Sequence, residues 1–188
     1  MNLLFPSFKL RLLPQMLGIA CLGAIIGGGY GVLHDQVTYS LSHEYFTRLK
    51  FHQFYYANFG LPTRIFVAEI GFLATWWVGL IAAWFLARIT VPFWPPAVAL
   101  RKCLVGFCII FMVAFTAALI GYAMGVCYSN DYADWQDACL NLGVTDIPAF
   151  VRVAYIHNAS YIGGLVGLAV AIAYLLRQKK IEACVRAS

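Results

Sequence analysis

The sequence predicts an all-α integral membrane protein with four transmembrane helices and an amphipathic segment between the first and second. Three observations carry that reading. The 188-residue chain is 62% hydrophobic and only 11% charged, whereas soluble domains carry about 25% charged residues. Four apolar runs reach the roughly 20 residues that a bilayer-crossing helix needs. The basic residues stand in short clusters beside those runs, which is where topology-setting charges belong. The net charge of +5 therefore does not mark a nucleic-acid binder. The partner it implies is the lipid bilayer, with other membrane-protein subunits as further candidates.

The runs cover about 13–33, 65–87, 103–126 and 150–176, within one membrane domain spanning 1–188. The first is too long for the apolar core of a cleaved signal peptide, so it counts as a span. It carries Gly23, Gly27 and Gly31 at four-residue spacing, and the fourth carries Gly163, Gly167 and Ala171 in the same way. Small residues four apart form one smooth helical stripe, so the first and fourth spans are expected to pack on each other. The second run, IFVAEIGFLATWWVGLIAAWFLA, puts Trp76 and Trp77 at mid-span, where they are buried or meet a partner. After it, TVPFWPPAVALRK contains three prolines. These predict a tight turn, with Trp94 as an interfacial anchor.

Four spans place both termini on one side. Lys9, Arg11, Arg88, Arg101, Lys102, Arg177, Lys179, Lys180 and Arg186 fall with the termini and the second loop; Arg48, Lys50, Arg64 and Arg152 fall with the other loops. Nine against four predicts cytoplasmic termini under the positive-inside rule. Of the acidic residues, only Glu182 falls on the cytoplasmic side. Cys127 and Cys139 flank the third loop on the extracytoplasmic side. An oxidising compartment would let them pair, closing a short loop worth about 3 kcal/mol. Two unpaired small hydrophobes are the alternative. Asp131, Asp134 and Asp137 stand three apart in DYADWQD, which reads as a solvated acidic face. Asn158-Ala-Ser160 matches a glycosylation sequon but lies within a span.

The stretch Gly31–Phe54, GVLHDQVTYSLSHEYFTRLKFHQF, holds three of the four histidines. Topology brings His34 and Asp35 to the extracytoplasmic end of the first span, with Glu69 near the matching end of the second. Tyr122 falls in the third, and His157 and Asn158 in the fourth. Glu44, His43 and His52 come from the intervening loop. A carboxylate such as Glu69 in hydrocarbon costs about 3 kcal/mol on insertion scales, so it should face the bundle interior. Imidazoles and carboxylates from different helices compose a metal shell of His34, Glu44, Glu69 and His157. That shell suits zinc, iron, copper or manganese. A haem held by His34 and His157 is a lesser alternative. A buried network in which these groups satisfy one another is the competing reading, because no His-x-x-x-His or Glu-x-x-His spacing is present. There is no phosphate loop, nucleophile elbow or CxxC, so no catalytic residue is assigned. In the 42–62 loop, Phe51, Tyr55 and Phe59 recur every four residues. They predict one face of a surface helix that either caps the cluster or anchors the loop in the membrane.

The words HDQVT (His34–Thr38) and SHEYFT (Ser42–Thr47) resemble a family of uncharacterised bacterial multi-pass membrane proteins. Its members carry His-Asp-Gln-[Val/Ile]-Thr followed by Ser-x-Glu-Tyr-Phe-Thr. The resemblance covers roughly thirty residues and departs after Thr47, where Arg48 and Leu49 replace a proline-containing continuation. It implies a bacterial inner-membrane protein, draws attention to His34, Asp35, Gln36, Glu44 and Tyr45, and transfers no chemistry. Three functions follow as expectations. The first is an inner-membrane protein whose His/Glu cluster binds a metal or small ligand. The second is an accessory or assembly subunit whose cluster is structural. The third, a transporter component, is the weakest, since no broken helix or inverted repeat is evident.

Overall fold

The computed structural model describes residues 9–128 and 135–187. Among these, helix is the dominant structure and there is no strand. In order come α1 (Leu13–Leu41), a π-helical turn (Tyr45–Lys50), α2 (Phe51–Gln53), α3 (Thr63–Thr90), α4 (Pro96–Tyr128), α5 (Gln136–Leu142) and α6 (Ile147–Ala187). Single-turn 3₁₀ segments lie at Leu10–Leu12 and Tyr55–Ala57. Four helices are long and apolar enough to cross a membrane: Leu10–Leu41, Thr63–Thr90, Pro96–Tyr128 and Ile147–Val185. Each outruns the apolar run that predicts it, because polar residues at the ends continue the helix. His34, Asp35 and Thr38 thus lie inside α1 rather than beyond it. The prolines act as expected. Only Val91–Pro95 separates α3 from α4, and Pro96 opens α4, a position that needs no backbone N–H.

The helices pack as two pairs, α1 with α3 and α4 with α6, joined by much sparser contacts. This corrects the expected pairing of the first and fourth spans. Both glycine stripes are used, but each faces a different helix. Gly23, Gly27 and Gly31 meet Gly71, Thr75, Gly79 and Ala83 of α3, whose own four-residue spacing makes the complementary stripe. A Cβ on Gly27 would sit 2.7 Å from the Gly79 Cα. Thr75 Oγ1 shares its proton between the Gly27 carbonyl across the seam, 2.9 Å away, and Gly71 O of its own helix at 2.7 Å. Gly163 and Gly167 lie against Ala114, Ala117 and Ile110 of α4, while Gly121 and Gly125 of α4 receive Tyr155 and Arg152 of α6. Lipid gives helices no hydrophobic reason to associate, so backbone approach supplies the contact instead.

An apolar core joins the pairs at the end that holds the α3–α4 turn. Met16, Leu86, Ile89, Phe107 and Leu175 meet there. Trp94 belongs to this core, 5% exposed, rather than to an interface. Its Nε1 donates to Glu182 Oε2 at 2.6 Å, and Lys102 Nζ reaches Glu182 Oε1 at 2.9 Å. A second core of Tyr39, Tyr45, Phe46, Val67, Cys139 and Phe150 lies at the opposite end. Trp76 and Trp77 are 38% and 50% exposed at mid-helix.

Between α1 and α3 the loop does not form the predicted surface helix. Ser42 is extended, and its Oγ accepts the Tyr45 N–H at 3.3 Å. The π-helical turn that follows turns Tyr45, Phe46 and Lys50 inward together. At Phe54 the backbone leaves helical space (φ −112°, ψ 25°), which breaks the four-residue face. Phe51 packs on Phe66 with ring centroids 4.8 Å apart, while Tyr55 and Phe59 stay exposed. The segment therefore divides: its first half roofs the protein and its second half presents aromatics outward.

Candidate functional site

The roofed space holds a buried polar cluster at the sparse seam between the helix pairs. α1 contributes the adjacent His34 and Asp35 and, one turn beyond them, Thr38. α6 contributes His157 and Tyr161, again one turn apart. His157 is 1% exposed and Asp35 4%. His34 Nδ1 lies 3.2 Å from Asp35 Oδ1, and His157 Nε2 lies 3.9 Å from the same oxygen. One potential ligand atom from each of His34, Asp35 and His157 falls within 4.8 Å of the others. The two imidazoles meet edge to face with centroids 4.7 Å apart, too close for a haem plane to lie between them.

The hydrogen bonds fix a direction. Thr38 Oγ1 donates to the His34 carbonyl at 3.0 Å. Its single proton is then spent, so His157 Nε2, 3.2 Å away, donates to Thr38. In that arrangement His157 carries its proton on Nε2, and its Nδ1 accepts from the Tyr161 hydroxyl at 3.2 Å. That hydroxyl accepts in turn from Lys50 Nζ at 3.3 Å. A chain of four donors thus runs from a cation on the π-helical turn into the centre of the molecule. Tyr45 stacks on the His157 ring at 4.8 Å, with Phe46 on a further side. The imidazole is sealed by aromatics.

Not every group is satisfied. His34 Nε2 and Asp35 Oδ2 are buried with no hydrogen-bond partner, as is the Tyr30 hydroxyl one turn before His34. Buried polar atoms are normally paired, and each orphan forfeits about 1–3 kcal/mol. Three in one neighbourhood suit a site that receives something.

The other two expected ligands lie elsewhere. Glu44 faces the start of α6. Its Oε2 accepts the Thr145 and Asp146 N–H groups at 2.9 and 2.6 Å, and its Oε1 accepts the Thr145 hydroxyl at 2.7 Å. The Thr145 hydroxyl first, and the Asp146 amide next, hold the Glu44 carboxyl below its ordinary range. Asp146 adds its own cap to Ala149 N at 3.1 Å. Glu44 is thus a tie from the loop to the α6 N-terminus, where free N–H groups attract carboxylates. Glu69 lies on α3 with Phe72, in a notch beside Ala57, Phe59 and Leu73. Its Oε2 is buried without a partner. Both residues are outside the His34–Asp35–His157 group, and Asp35 takes the carboxylate place. The signal for Asp35 was its position one residue after His34 and one turn before Thr38.

Among the remaining expectations, Tyr122 and Asn158 are exposed and outside the cluster. His43 packs on Tyr39 at 4.5 Å, and His52 is exposed. Cys127 is exposed, Cys139 is buried, and both are free. Asp131 and Asp134 lie outside the described residues. Gln36, Ser40 and Arg64 form a clamp between α1 and α3: Arg64 donates to Gln36 O, Gln36 Oε1 and Ser40 Oγ, each at 3.1 Å. The chain matches no family model, and neither curated proteins nor solved structures gave a match.

Proposed function

We propose that this is a bacterial inner-membrane protein that binds one transition-metal ion at His34, Asp35 and His157, near its extracytoplasmic face. The observation that carries this reading is the convergence of two imidazoles and a carboxylate from α1 and α6 within 4.8 Å, with His34 Nε2 and Asp35 Oδ2 left unpaired. Two nitrogens and one oxygen suit zinc, iron, copper or manganese, and three protein ligands leave a position open for a further group. An ion would draw His157 Nε2 away from Thr38. Tyr161 and Lys50 would continue to orient the ring from behind, as partners of ligating histidines generally do. The placement of the site follows from the nine-to-four division of basic residues, which favours cytoplasmic termini.

The test is metal analysis of detergent-purified protein beside Asp35→Asn and a His34→Ala/His157→Ala double variant. About one equivalent of a single metal in the wild type, lost in both variants, is the expected result. Asp35→Asn keeps the shape, so its loss of metal cannot be ascribed to a collapsed site.

Two observations favour a second reading. Both nitrogens of His157 already have partners, as a purely structural network would require. Trp76 and Trp77 are exposed at mid-helix, away from the interfacial belts where tryptophan usually sits. An accessory subunit that docks this face on another membrane protein would have both features. Metal-free protein that co-purifies with a fixed partner, lost on Trp77→Ala, is the outcome that supports it.

A further inference from the structure

Glu69, within the membrane-length helix α3, is a carboxylate that the metal reading leaves unused. No described residue hydrogen-bonds to it, and its Oε2 is buried. Arg64 of the same helix and Lys50 of the π-helical turn are engaged elsewhere. Arg64 holds Gln36 and Ser40 and stacks over Tyr39 at 4.7 Å. Lys50 holds Tyr161. Arg64 precedes Glu69 by five residues, which turns it about 140° away around the helix. Phe72 and Leu73, three and four residues on, share the Glu69 face.

Around the carboxylate, Ala57, Phe59, Phe72 and Leu73 line an open notch of about 250 Å³. Phe72 is 40% exposed and Phe59 is also open to the surroundings. The notch therefore opens sideways from α3, on the same face as exposed Trp76, and not into the polar cluster. Glu69 lies six residues into α3, about 9 Å along its axis. α3, at about 42 Å, exceeds the roughly 30 Å hydrocarbon core, so a helix centred on the bilayer would carry Glu69 just inside the headgroup boundary. An unpartnered carboxylate there is costly, and the aromatic walls add attraction for a cation over their faces.

We infer that this notch binds the ammonium headgroup of a lipid from the surrounding leaflet, with Glu69 as counter-ion and Phe59 and Phe72 as aromatic walls. The lateral opening and the depth favour a lipid over a free amine arriving from water.

The experiment reconstitutes the protein in nanodiscs made of equal parts phosphatidylethanolamine and phosphatidylglycerol, then counts retained lipids by native mass spectrometry. The wild type should retain phosphatidylethanolamine in preference to phosphatidylglycerol by about fivefold, the size of one cation–aromatic contact. Glu69→Gln should remove the preference, and Phe59→Ala, at an exposed position, should reduce it. Thermal midpoints and metal content report whether each variant stays folded. An equal preference in wild type and Glu69→Gln would overturn the inference. So would free ethanolamine displacing the retained phosphatidylethanolamine, since the ligand would then be a soluble amine.

Discussion

Changing Gly27 to alanine tests the packing of the α1–α3 pair, with Gly29 as its internal control. The two residues stand two apart on one helix, yet a Cβ on Gly29 meets nothing within 4 Å. A Cβ on Gly27 falls 2.7 Å from the Gly79 Cα and 3.1 Å from both Gly79 N and Thr75 O. Carbon atoms rest at about 3.5–4.0 Å, so the helices must part by about 1 Å. Overpacking of this kind costs about 1–3 kcal/mol. The 2.9 Å bond from Thr75 to the Gly27 carbonyl stretches at the same time, forfeiting about 0.6 kcal/mol. Gly27→Ala should therefore lose about 2–3 kcal/mol, and Gly29→Ala nothing. Reversible unfolding in mixed micelles, followed by tryptophan fluorescence, reads both. If Gly27→Ala is no less stable than Gly29→Ala, α1 and α3 do not approach through this stripe.

Three further outcomes are expected. Thr38→Val keeps the shape but strands the buried Nε2–H of His157, so stability should fall by about 1–3 kcal/mol while Thr38→Ser retains it; equal loss in both variants refutes the donor chain. Glu44 has its carboxyl pKa lowered from an ordinary value of 4.5. Its contribution, about 1 kcal/mol as for a helix cap, is therefore present in full above pH 4.5 and disappears as the pH falls through the folded-state value; Glu44→Gln should flatten that part of the stability profile. Cys127 and Cys184 are exposed at opposite ends of the molecule, whereas Cys139 is buried and its thiol pKa is pushed up by burial. An impermeant maleimide added to intact cells should label Cys127, reach Cys184 only after permeabilisation, and spare Cys139; the reverse order would invert the topology.

The four membrane-length helices were legible in the sequence because length and hydropathy decide them almost without regard to neighbours. Helix pairing was legible only in part. Gly23, Gly27 and Gly31 announced a close contact, but two similar stripes do not say which helix each one meets. Gly71, Thr75, Gly79 and Ala83 answered that question in the same sequence, hidden by the bulk of the tryptophans around them. The loop was less legible still. A four-residue aromatic period predicts a helix face, but after the π-helical turn between Tyr45 and Lys50 the backbone leaves helical space at Phe54, so Phe51 and Tyr55 do not lie on one helix. Such turns often accompany functional sites. Here the turn brings Tyr45, Phe46 and Lys50 over a single imidazole.

The candidate site shows why topology brought the two histidines together and did not bring Glu44 and Glu69 to them. His34 and His157 were placed together by topology alone, since each lies near the same end of its span. A carboxylate, in contrast, has two long-range options, and the choice depends on which donors are left over. Glu44 found the free N–H groups ahead of α6. Glu69 lines a notch with Ala57, Phe59, Phe72 and Leu73 instead of joining the seam between the helix pairs. Asp35 alone had neither alternative: it is held between the helix pairs, one residue from His34. The sparse contacts along that seam give the placement its meaning. Two pairs that are each zipped tightly by small residues touch each other chiefly through their end cores and this polar cluster. A ligand held among His34, Asp35 and His157 would therefore bear directly on how the pairs are held together, and ligand-dependent protection should then be greatest at the α1–α6 seam rather than within either zipper.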